Sequence, residues 1–184
     1  STSKMSERVP PADGPTDAAG SSDDQTPLEA LEAARDRLET VDSRIADHDE
    51  ETVETVATAY RNATDLLEDY VDRATGTGKE NFQAYIELEG KFDGLVSGLS
   101  EDLPEYQSFE DALEAIDKRR LSESDFERAR DALEPAAKYA AMLDEREAAR
   151  EGLAEARKAA NRRLRTLDDE IDERERLLEL ADAD

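Results

Sequence analysis

The sequence predicts an all-α protein, an elongated antiparallel coiled-coil or helical-hairpin stalk with a small helical head at its hinge end. Two helix-length stretches, Pro27 to Ala74 and Ala136 to Ala181, place apolar residues at alternating spacings of three and four. That spacing marks helices that need a partner along their length. As helices they would span roughly 72 Å and roughly 69 Å, a match that suggests one folds back on the other. The five Tyr and four Phe all lie between Tyr60 and Tyr139, whereas both outer arms rely on Leu, Val, Ile and Ala. Large rings belong where several helices meet and slim residues where only two do.

Residues 1–26 hold Pro10, Pro11, Pro15, Gly14 and Gly20 among Ser, Asp and Ala, and read as a disordered leader. Order is expected to begin at Thr26, whose hydroxyl can cap the first turn while Pro27 sits where a missing N–H costs nothing and Glu29 completes a capping box. Residues 27–74 read as the first stalk helix. Leu31, Ala34, Leu38, Val41 and Ile45 form one seam, and Val53, Val56, Tyr60, Ala63, Leu67, Tyr70 and Ala74 a second. The stripe changes phase across 46–52, so the helix either turns there or continues with altered winding, and the lack of Gly or Pro favours continuation or a mild kink.

Residues 75–135 read as the head, three short helices. Thr75-Gly76-Thr77-Gly78 should end the first arm. A helix carrying Phe82, Tyr85, Leu88, Phe92, Leu95 and Leu99 follows, then one capped at Ser108 with Phe109, Leu113 and Ile116. The last is capped at Ser122 or Ser124 and carries Phe126, Ala129 and Leu133. Pro135 must kink or restart the chain. Residues 136–184 read as the second stalk helix, through Ala140, Leu143, Leu153, Ala160, Leu164, Leu167, Ile171 and Leu178, and its uncapped end leaves a continuation open.

Charge supplies a register. From Ala156 to Leu167 there is no acidic residue and there are five basic ones, Arg157, Lys158, Arg162, Arg163 and Arg165. Pairing Ala74 with Ala136 sets this patch against Asp47, Asp49, Glu50 and Glu51. An antiparallel hairpin and a homodimer through the same seam use identical heptads, so oligomeric state stays open.

The overall composition is unusual for a folded domain. Leu, Ile, Val and Phe make up under a fifth of the 184 residues, and 49 acidic against 24 basic residues give a net charge of −25. Periodicity outweighs the apolar deficit, because disordered acidic tracts do not repeat apolar residues over many turns. Molar salt would screen the self-repulsion, and Arg outnumbers Lys three to one, as in an acidic protein of a salt-rich cytoplasm. No stretch reaches the roughly 20 apolar residues of a membrane span, so no membrane contact is expected and the cytoplasm is the expected location.

Chemistry finds little purchase. His48 is the only histidine and there is no cysteine, which excludes paired Glu-x-x-His di-iron sites, thiolate metal sites and disulfides. His48 itself reads as a solvated surface residue. Gly76-Thr77-Gly78-Lys79 lacks the first glycine, the final Ser or Thr and the preceding strand of a phosphate loop. Acidic residues 168–173 lack the spacing and turn glycine of a calcium loop. No catalytic residue, metal ligand or cofactor is therefore expected. The cluster Arg157, Lys158, Arg162, Arg163 and Arg165 is the one candidate contact for a partner or for phosphate, with a protein partner ahead of nucleic acid because the patch stands alone and lacks interleaved aromatics.

From Met5 onward the chain resembles predicted coiled-coil proteins of haloarchaea that have no assigned function. The resemblance rests on Thr26-Pro27-Leu28-Glu29-Ala30, Arg73-Ala74-Thr75-Gly76-Thr77-Gly78, Arg119-Arg120-Leu121-Ser122-Glu123-Ser124-Asp125-Phe126 and Leu143-Asp144-Glu145-Arg146-Glu147. It implies a haloarchaeal origin and no particular activity. The expectation is a non-enzymatic interaction or scaffold protein; the alternative is an accessory factor in nucleic-acid transactions.

Overall fold

A computed structural model of the chain describes residues 26–183. The expected leader, Thr26 apart, lies outside the described residues. Six α-helices follow in order: α1 Pro27–Asp47, α2 Glu50–Ala74, α3 Lys79–Ser97, α4 Tyr106–Ile116, α5 Glu123–Leu133 and α6 Ala137–Asp182. The fold is all-α, and its long helices pack against one another.

Local chemistry explains the boundaries. At the start of α1 the Thr26 hydroxyl accepts from the Glu29 N–H (3.2 Å) and the Glu29 carboxylate accepts from the Thr26 N–H (3.4 Å). Between α1 and α2 the chain breaks, where the sequence favoured a continuous or mildly kinked helix. Asp49 adopts φ 71°, and its carboxylate accepts from both the Thr52 N–H (3.3 Å) and the Thr52 hydroxyl (3.0 Å). The break needs neither Gly nor Pro because Asp tolerates a left-handed φ and caps the next helix itself.

Gly76 takes φ 129° after α2, and the Asn81 side chain holds the turn closed. Its amide donates to the carbonyls of Arg73 (2.9 Å) and Thr75 (3.0 Å), and its oxygen accepts from the Gly78 N–H (3.2 Å). Helix α4 begins at Tyr106, two residues before the expected Ser108 cap, after Glu105 in a left-handed conformation. Ser122 is the cap residue of α5. Pro135 sits in a single 3₁₀ turn, Glu134–Ala136, which restarts the chain as α6.

Helices α2 to α5 and the first turns of α6 enclose one core, with Tyr139, Ala140 and Met142 of α6 buried in it. Helix α3 runs antiparallel to α2, so that Glu87 accepts from the Tyr70 hydroxyl (3.0 Å) at one end while Leu95 and Gly98 lie beside Thr58 and Asn62 at the other. Val53, Val56 and Leu67 of α2, Leu88 and Phe92 of α3, Phe109 and Ile116 of α4, and Phe126 and Leu133 of α5 are fully buried there. Each such side chain contributes about 1.5 to 3 kcal/mol by leaving water. Of the aromatic rings that marked the head, Phe92, Phe109 and Phe126 fill this core, Tyr60, Tyr85 and Tyr106 pack partly buried against it and Phe82, expected on the apolar face of its helix, is exposed; α2 is one of the core's walls.

Helix α1 packs beside the first half of α6, also antiparallel. Ile45 and Val41 are buried there, Arg44 pairs with Glu145 (2.8 Å), and Asp36, Arg37 and Val41 share an open cleft with Ala148 and Ala149. The fold-back therefore exists, but its register differs from the one read from charge. Thr75 bridges to Leu121. Helix α5 docks on α2 through Phe126, Ala129 and Leu133, so α5 and not α6 faces the end of α2. The partner of Glu50 is Arg146 (2.6 Å), which also reaches Glu54 (3.7 Å). The patch from Arg157 to Arg165 lies more than two helical turns further along α6.

Candidate interaction surface

Helix α6 outruns its neighbour. With Arg37 beside Ala149, equal rise along two antiparallel helices brings Pro27 opposite about residue 159. Burial agrees: Ala159 and Ala160 are half-buried, and every residue from Asn161 to Ala183 is exposed. Leu164, Leu167, Ile171, Leu177, Leu178 and Leu180 on this extension are 37–70% exposed, and Leu28 at the start of α1 is 63% exposed. Leu164, Leu167, Ile171 and Leu178 recur at spacings of three, four and seven, so they form one apolar stripe on the helix.

The predicted contact residues all lie on this extension or at its root, and all five are exposed. At about 100° per residue they do not converge on one face. Lys158, Arg162 and Arg165 point away from the stripe, Arg163 flanks it, and Arg157, seven residues before Leu164, lies in line with it. Lys158 pairs with Glu155 (3.2 Å) within the same helix, and no ion pair forms at Arg157, Arg162, Arg163 or Arg165 among the described residues. Beyond Leu167 the charge reverses: Asp168, Asp169, Glu170, Asp172, Glu173 and Glu175 stand against Arg174 and Arg176.

A second cationic cluster escaped the sequence reading. The turn after α2 and the loop before α5, more than 40 residues apart, meet through the Thr75–Leu121 bridge. Lys79, Arg119 and Arg120 thereby line one small cleft of about 250 Å³ with Thr77 and Phe82. Arg73 and Lys118 lie close by in sequence but are engaged, the first with Glu87 (3.3 Å) and the second with Asp125 (3.1 Å). Each turn was recognisable alone; their meeting depends on α5 docking beside α2, which no local pattern encodes.

Asp125 anchors that end. Burial alone would raise its carboxyl, but the Ser122 N–H (3.0 Å), the Lys118 ammonium, the Ser122 hydroxyl (3.0 Å) and the Arg128 guanidinium outweigh burial and hold it down at about 2. The carboxylate is a structural clasp, saturated by its neighbours. His48 is exposed and packs edge-on against Tyr139, ring centroids 5.6 Å apart. Gly90 and Gly94 face open space. Among the described residues no group of His, Cys, Asp and Glu is arranged to hold a metal ion, and no helix is long and apolar enough to cross a membrane.

The chain matches no curated protein and no solved structure. A family model covers residues 31–184, from the first turns of α1 through the whole core and the α6 extension. The match takes in the helical core and its exposed extension together, and the chain belongs to the family described as a domain of unknown function, DUF7118.

Proposed function

We propose that the protein is a non-enzymatic scaffold whose α2–α5 core holds out the α1–α6 arm for coiled-coil pairing with a protein partner. One observation carries this: the apolar stripe of α6 continues for about five turns past the start of α1, to Leu178, and no described residue covers it. Apolar side chains at seam spacing on a solvated helix are what a partner helix would bury, at about 25 cal/mol for each Å² removed from water. The acidic, Arg-rich composition and the haloarchaeal resemblance support a salt-rich cytoplasm as the setting of this role.

A photo-crosslinking residue at Asp168, beside the stripe, tests the reading in cells. The expected outcome is a covalent protein adduct that disappears in the Leu164→Glu, Leu167→Glu double variant and does not form from Asp93, exposed on α3. No adduct from Asp168 would overturn it. Turnover detected in protein purified at high salt would overturn the non-enzymatic assignment.

A second reading, phosphate contact through Arg157, Lys158, Arg162, Arg163 and Arg165, draws support from the solvent exposure of that patch. It predicts binding of labelled DNA or RNA by fluorescence anisotropy in high potassium, lost on Arg162→Glu with Arg163→Glu. The outward spread of the five side chains over more than half the helix circumference counts against a single phosphate track.

A further inference from the structure

We infer that the occupant of the exposed α6 stripe is the same stripe of a second copy of this chain, running antiparallel. The inference rests on the reading of this face as an interaction surface and names its partner.

The charge pattern selects both the partner and the direction. The extension is basic up to Leu167 and acidic beyond it. Two copies laid parallel would set basic half on basic half and acid on acid; antiparallel, each basic half lies on the acidic half of the other. The seam fits the same arrangement. Antiparallel helices alternate the two seam positions across each layer, so Leu164 of one copy packs on Leu167 of the other, and Ala160 on Ile171. On the flank, Arg163 lies across from Glu170 of the second copy, a pair that occurs twice by symmetry, while the seam residues Arg157 and Arg174 meet in the outer layers. A parallel pair in register would set Arg163 against Asp168 but bring Glu170 against Glu175 and leave the basic halves side by side.

The central layers clear the rest of the molecule, because they use residues 160–171, beyond the start of α1 opposite residue 159. Before residue 160 the seam face is already covered by α1 of the same chain, with Leu153 buried, so the terminal Leu177, Leu178 and Leu180 of one copy pass beside the beginning of the other's α1, where Leu28 is exposed. An extension that is solvent-exposed in one chain becomes the centre of a two-ended assembly with a helical core at each end.

Sedimentation equilibrium of the full chain in about 2 M KCl is the first test, at a salt level that screens the net charge. The expected mass is twice the 20.4 kDa of one chain, falling to one chain in Leu164→Glu, Leu167→Glu with helical circular dichroism unchanged, because both leucines are exposed in the single chain. Direction is read by crosslinking, since the chain has no cysteine of its own. A mixture of Arg163→Cys and Glu170→Cys chains treated with a short bismaleimide should give 163–170 pairs in excess of 163–163 and 170–170. A monomer at every concentration, a preference for like pairs, or dimerisation that appears only after deletion of residues 1–25 would each overturn the inference. The Asp168 photo-adduct separates the two levels: an adduct to a different protein without the homodimer sinks this inference and leaves the scaffold reading, whereas no adduct sinks both.

Discussion

At the scale of single residues, two aspartates do work that side-chain type alone does not announce. Asp125 is 5% exposed and ionised, its carboxyl held at about 2 by Lys118, Arg128 and Ser122. A carboxyl depressed in the folded state stabilises the fold at pH values above its ordinary pKa near 4 and loses that contribution as pH falls toward 2. A drop of almost two units is worth about 2 kcal/mol. Unfolding by urea across pH 7 to 2 should therefore show a loss between about pH 4 and 2 that is missing in Asp125→Asn, a variant expected to be about 2 kcal/mol less stable at pH 7. Asp49 makes the opposite trade. Its φ of 71° is strained for any residue with a Cβ, while its carboxylate caps α2. Asp49→Ala keeps the strain and loses the cap, and should cost about 1 to 2 kcal/mol; Asp49→Gly loses the cap but relieves the strain, and should stay within about 0.5 kcal/mol of the parent. Thermal melts that rank the alanine variant above the glycine variant would refute the strained-cap account.

Among elements, burial separates what holds the molecule together from what it presents. Phe126→Ala empties a fully buried site shared by α5 and its neighbours and should cost about 3 to 5 kcal/mol, whereas Leu178→Ala, on the bare end of α6, should change single-chain stability by less than about 0.5 kcal/mol. Arg146 is the ionic link between α6 and the start of α2. Arg146→Glu, facing Glu50 and Glu54, should unfold more easily than Arg146→Met, with the gap narrowing in molar salt. These contacts also show what the sequence could and could not say about how elements meet. The helices themselves were legible, because the caps at Thr26 and Ser122, the breaker at 75–78 and Pro135 act within a few residues. The sequence also led to the fold-back and to the aromatic rings as the core. Register was not legible, because a seam that returns every seven residues still sets apolar on apolar after a slide of about two heptads, and that slide is the difference between placing Arg146 and placing Ala160 opposite Glu50. The acidic run at 47–51 had more than one basic target, and Arg146 won it through the docking of α5. The surface stripe was visible as a pattern, but its solvent exposure follows from where α1 starts relative to α6, a consequence of that same register.

Across the whole molecule the governing quantity is a net charge of −25 spread over a thin helical body. Like charges on neighbouring helices of the core sit about 10 Å apart, comparable to the Debye length at 0.1 M salt and well beyond the roughly 3 Å reached at 1 M. Raising KCl from 0.1 to 2 M should remove most of that repulsion while costing only the exposed ion pairs, each worth about 0 to 1 kcal/mol, such as Arg44–Glu145 and Arg61–Asp144. Repulsion among so many uncompensated carboxylates is the larger effect, so the melting temperature should rise by on the order of 10 °C over that range, which for a chain of this size corresponds to a few kcal/mol. NaCl and KCl should act alike, because screening depends on ionic strength. The same screening should tighten the antiparallel pair, since two chains of equal net charge repel at long range even where Arg163 and Glu170 attract locally. Differential scanning calorimetry and sedimentation over one KCl series would test both together. A melting temperature that is flat in salt, or a dimer that dissociates as salt rises, would mean that specific ion pairs and not net charge set the stability of this molecule.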